Sequence, residues 1–170
     1  MSVFEGFRLG QPLLEQTKGG GMSNEKSDVK VYEQAGSVAI TLEEAAAALN
    51  NWVATMQKGS AEAVLALYDE SPSFWGTMAN QLATTPQSTL TYFQHFLTGK
   101  NNLQVAIDTR FSQSVGPVCL ISGSYTFRFT DDNGEKQTVP ARYSFGFMKK
   151  GKGNEEALII SHHSSQFPAP

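Results

Sequence analysis

The chain carries one cysteine, Cys119, so no internal disulfide can form. Its neighbours Val118, Leu120 and Ile121 read it as a buried structural thiol, and no zinc cluster can be built on it. No run of about 18 apolar residues occurs, so no segment reads as a membrane-spanning helix. The N-terminus lacks the basic and apolar regions of a secretion signal, and the protein is expected to be soluble and cytoplasmic. Charge of one sign is also lacking. Against 16 acidic residues stand 13 basic ones, a formal −3, which gives no electrostatic reason to expect nucleic acid. A serine-hydrolase elbow of the Gly-x-Ser-x-Gly type is absent. The run Gly19-Gly20-Gly21 has no flanking strand and helix, so it is no dinucleotide fingerprint, and no cofactor is expected.

What the chain does have is ordinary globular composition, 40% hydrophobic and 11% aromatic over 170 residues, with phenylalanine generous at 11. That length suits one domain with an appendage. Residues 1–40 read as the appendage, a flexible arm or leader containing the triglycine run and a second methionine, Met22. Phe4, Phe7, Leu9, Leu13 and Leu14 could anchor this arm on a protein partner. The folded domain is expected over residues 41–170.

Thr41-Leu42-Glu43-Glu44 is a capping box, and Ala45, Leu49, Trp52, Val53 and Met56 follow at helical spacing until Gly59. Ser60 caps a second, shorter helix through Tyr68, and a short extended piece covers residues 73–77. Thr85 before Pro86 opens a third helix carrying Leu90, Phe93, Phe96 and Leu97. Thereafter the period changes to two. Strands are expected over 104–109, 115–129, 138–149 and 157–166, with Asp132-Asn133-Gly134 as a tight turn. Lys149, Lys150 and Lys152 read as a solvated turn. Helices followed by an antiparallel meander make an α+β fold whose sheet buries one face on the long helix.

Two strands advertise a site. Alternation puts Arg142, Ser144 and Gly146 on one face of theirs and Tyr143, Phe145 and Phe147 on the other. The last strand separates Ser161, His163 and Ser165 from His162 and Ser164, so one histidine faces inward. A pocket histidine suits proton transfer near neutral pH, although a lone buried histidine is more often structural. Arg142 could equally pair with Glu62 or Asp69 to steady the sheet. Adjacent His162 and His163 point apart with no third ligand, so no metal site is expected. Tyr68, Trp75, Tyr92 and Tyr125 are candidate cavity walls, and Asp69, at the end of the second helix, is the best carboxylate for acid/base work.

Four short motifs, Phe74-Trp75-Gly76-Thr77, Thr84-Thr85-Pro86 leading to Tyr92-Phe93, Pro140 to Phe145, and His162 to Ser165 followed by Pro168, occur in order over residues 41–170. With them the chain resembles the nuclear transport factor 2-like superfamily, which includes SnoaL-type proteins. Within it the chain is similar to the association (hub) domain of calcium/calmodulin-dependent protein kinase II and its stand-alone relatives. The resemblance implies a cone of three N-terminal helices on a curved antiparallel sheet, with an interior pocket and outer surfaces that build dimers or rings. It implies a pocket arginine at Arg142 and a histidine at His163, while two further basic pocket positions fall at Tyr125 and Ser164.

The expectation is an oligomerising, ligand- or peptide-binding scaffold module. Arg142, Tyr125, Trp75, Tyr92 and Ser144 would contact a small carboxylate ligand. The alternative is a small cofactor-independent isomerase, dehydratase or cyclase with His163 and Asp69 as catalytic groups and Arg142 or Tyr125 stabilising negative charge. The aromatic face of Tyr143, Phe145 and Phe147 is expected to be left uncovered and to drive self-association.

Overall fold

A computed structural model describes residues 38–150 and 156–168. The expected arm over residues 1–40, all but its last three residues, and Lys152 of the lysine turn lie outside them. Helix α1, Leu42–Gln57, starts where the capping box requires. Glu44 N–H donates to Thr41 Oγ1 at 3.1 Å, and Thr41 N–H donates to Glu44 Oε2 at 2.9 Å. Its buried stripe is Ala45, Leu49, Trp52 and Met56. Helix α2 covers only Ala61–Leu65, shorter than its pattern suggests, because the chain enters strand β1, Tyr68–Trp75, just beyond it. Helix α3, Pro86–Leu97, is capped by Thr85 and buries Thr89, Phe93 and Phe96.

Strands β2 (Asn101–Val115), β3 (Val118–Thr130), β4 (Lys136–Lys149) and β5 (Ala157–Gln166) complete a five-stranded sheet in the order β1-β5-β4-β3-β2. The neighbours β2 to β5 run antiparallel, whereas β1 lies parallel to β5 at one edge. An edge position is where Pro72 is tolerated, since it has no N–H for a ladder. Register shifts interrupt β1, β2 and β5, and such irregularities bend a sheet.

The concave face of that sheet is covered by α1 and α3. Tyr125 and Phe127 of β3, Tyr143, Phe145 and Phe147 of β4 and Ile159 of β5 bury there against Leu49, Trp52 and Phe93. Each such side chain is worth roughly 1.5–3 kcal/mol of burial. This corrects one expectation. The alternation on β4 is as read, but the aromatic face turns inward and the lean face of Arg142 and Ser144 turns outward. The physical reason is area: helices carrying Trp52, Phe93 and Phe96 gain far more by covering three aromatics than by covering serine and glycine.

The lysine turn is also more structured than expected. Lys149 is buried and pairs with Glu44, the capping-box residue, so the start of α1 is tied to the end of β4. Its ammonium holds the Glu44 carboxyl below the usual glutamate range. Lys150 Nζ stands 2.7 Å from Asp69 and 3.4 Å from Glu70. Among the described residues no helix is long and apolar enough to cross a membrane.

Candidate functional site

The two faces of the sheet offer two different chemistries. On the concave side His162 is 2% exposed and sandwiched between rings, Phe145 at 3.9 Å and Phe74 at 5.0 Å between centroids, both nearly parallel to it. Trp52 meets it edge-on at 5.4 Å. Trp52 Nε1–H donates to the Tyr68 hydroxyl at 3.2 Å, and that hydroxyl lies 2.7 Å from His162 Nδ1. Among the described residues Nδ1 is the acceptor within reach of the Tyr68 O–H, since tryptophan can only donate to that oxygen; assigned so, Tyr68 donates to Nδ1 and His162 carries its proton on Nε2. Burial, with His163 adding like charge, holds the His162 pKa well below 6.5, so the ring is neutral.

A second cluster of polar atoms lies beside it. The Tyr125 hydroxyl donates to Ser164 Oγ, and Ser164 Oγ also bonds to Thr77 Oγ1. Burial pushes Tyr125 far above the usual tyrosine range and Tyr92 up to about 12, so both phenols stay protonated donors. The space between these groups is ≈ 10 Å³, room for one water molecule. Tyr92 closes it from outside: a Cβ on Gly76 would sit 2.1 Å from the Tyr92 ring, so glycine there permits the closure. Beyond Tyr92 a groove of ≈ 360 Å³ opens between the 76–83 loop and α3.

On the convex side, pairing across the sheet aligns one residue from every strand: Phe111 with Ser122, Ser122 with Ser144, Ser144 with His163, and His163 with Trp75. The middle is small and polar, with Ser122 and Ser144 hydroxyls bonded at 2.9 Å. The ends are aromatic, Phe111 at 68% exposed and Trp75 at 41%.

The predicted site residues are therefore divided. Tyr125 is inside, Tyr92 lies half-buried at the cavity mouth, and Arg142, Ser144, His163 and Trp75 are outside. Arg142 Nη2–H donates to Ser165 Oγ at 3.1 Å and to the Gln166 carbonyl at 3.3 Å, partners other than the Glu62 or Asp69 considered for it. His163 does not face the pocket; His162 does. A register shift in β5 between Ile159 and Ser161 is the cause, because it moves the alternation by one residue beyond the inward Ile159. Asp69 is the second residue of β1 rather than the end of the second helix, its side chain fully buried and its carboxylate held by Lys150 and by the Ser71 N–H at 2.9 Å. His163, Arg142 and Tyr125 thus do not converge on one point. Residues to which the sequence assigned no site role are Thr77, Ser122 and Phe111; alternation along β2 marks Phe111 as outward only once the neighbouring strand is known. Among the described residues no group of three or more histidine, cysteine, aspartate or glutamate side chains is placed to hold a metal.

Comparison with known proteins agrees with this architecture. Among curated proteins none matches the chain. A protein of Xanthomonas campestris described as a calcium/calmodulin-dependent protein kinase II association domain superposes with a TM-score of 0.69 at 30% identity, covering 82% of this chain and 100% of its own. The S. rosetta hub of the same kinase superposes at 0.62 and 14% identity over 76% of this chain and 100% of its own. A Streptomyces avermitilis protein described as a dehydratase of the nuclear transport factor 2-like family superposes at 0.65 and 14% identity over 75% and 97%. The two last show the shared cone fold alone. The family pattern described as the calcium/calmodulin-dependent protein kinase II association domain matches residues 42–168, and the chain belongs to that family.

Proposed function

We propose that this protein is a self-association module whose convex sheet face receives a second copy of the chain. The observation that carries this reading is the row from Phe111 through Ser122, Ser144 and His163 to Trp75. Ser122 and Ser144 at the middle let a second sheet approach closely, and the two exposed aromatics at the ends supply the apolar area and anchors that interfaces favour. Membership of an association-domain family supports it, as does an interior filled by aromatic side chains. An enzyme of this fold needs room for a substrate beside a converging acid and base, and ≈ 10 Å³ offers none.

Sedimentation velocity tests the proposal. The chain has a monomer mass of 18.5 kDa, and a species of at least twice that mass is expected at micromolar concentration. Ser144→Glu puts a charge at the middle of the row and should shift the population to monomer with an unchanged circular-dichroism spectrum. A wild-type monomer, or a Ser144→Glu variant that assembles as wild type does, overturns it.

A further inference from the structure

The ring of His162 is closely packed, with Trp52 edge-on to it at 5.4 Å. Phe145 and Phe74 cover its two faces, and Tyr68 occupies its Nδ1 edge. Tyr68 does not line the small cavity, whereas His162, Ser164 and Thr77 do. His162 lines the cavity, and its buried Nε2 has no hydrogen-bond partner among the described residues. A buried N–H without a partner costs about 1–3 kcal/mol, so proteins rarely leave one. Across the same space stand the oxygens of the Thr77 and Ser164 pair.

We propose that the inner end of the cone is a receptor for one neutral oxygen atom, held by His162 Nε2–H and bridged to the Thr77–Ser164 hydroxyl pair. The oxygen has two chemical sources, an internal water or the carbonyl of a small apolar molecule. Water fits the ≈ 10 Å³ as it stands. A ketone or aldehyde reaches the same point from the outer groove once the Tyr92 ring swings off Gly76, its carbonyl oxygen in the small cavity and its apolar body in the space the ring vacates and in the ≈ 360 Å³ groove beyond. A carboxylate is not accepted. No cation lines the cavity, and the desolvation of an anion has nothing to offset it there.

Nuclear magnetic resonance of the full chain with ¹⁵N-labelled histidine tests this directly. The expected spectrum shows His162 with Nδ1 unprotonated, far downfield of Nε2, and a protected Hε2 resonance. That proton should show cross-relaxation with a long-lived water. Cyclopentanone is then added, with cyclopentane as the control lacking an acceptor. If ketone protons replace the water contact at Hε2, and cyclopentane does not, the site takes carbonyl oxygens; if the water contact persists, water is its resident. Either result upholds the receptor. A proton on Nδ1, or an Hε2 in contact with neither water nor ketone, overturns it.

Discussion

The two faces of one sheet use the same alternation for opposite ends. On the concave face Tyr125, Tyr143, Phe145 and Phe147 stack in an almost unbroken aromatic layer, 4.9 Å between the first pair of centroids and 5.5 Å between the next two. The convex face of the same strands carries Ser122 and Ser124 of β3 beside Ser144 and Arg142 of β4. The first face creates the fold by removing apolar area from water; the second contributes little to a lone chain and is the face we propose a second copy meets. A side chain's contribution to stability therefore follows its face rather than its chemical type. His162 and His163 show this most simply, being neighbours with opposite surroundings.

The largest expected effect is on the inner side. Phe145→Ala removes the ring stacked on His162 and should cost about 3–5 kcal/mol in chemical denaturation. A loss near that of an exposed residue would break the contrast. Gly76→Ala comes next. Its Cβ collides with Tyr92, so displacement of that ring should cost about 1–3 kcal/mol, read as a lowered midpoint with an unchanged slope.

A smaller effect depends on pH. His162 has a folded pKa depressed by burial, so below about 6.5 the unfolded chain takes up a proton that the folded chain refuses. Stability contributed by the neutral ring is complete above pH 6.5 and declines as pH falls below it. The slope approaches about 1.4 kcal/mol per pH unit. His162→Phe should flatten the curve between pH 6.5 and 5; a curve that keeps its slope in this variant would contradict a buried, neutral His162. The smallest effect is Ser122→Ala, expected within about 0.5 kcal/mol when monomers are compared by denaturation.

Much of this was legible in the chain. Thr41 and Glu44 mark the start of α1 because a capping box is local, and Asp132-Asn133-Gly134 marks a turn for the same reason. The order of helices and strands and the motifs in residues 41–170 lead to the right fold. Alternation on β4 yields two faces but not the identity of the covered one. That depends on the area offered by Trp52, Phe93 and Phe96, which lie far away in sequence. On β5 a single register shift at Ile160 exchanges His162 and His163, and nothing in the residue types announces it. The pairs Lys149–Glu44 and Lys150–Asp69 were hidden because both join positions separated by most of the domain.

The convex face can be questioned most directly through one thiol. Cys119 is the only cysteine and is buried, so Ser144→Cys presents a single reactive group at the centre of the outer row. Its rate of reaction with a thiol reagent should fall as protein concentration rises from nanomolar to hundreds of micromolar, and denaturant should restore it. Reaction as fast as a free thiol at every concentration would contradict the claim that a second copy of the chain covers this face.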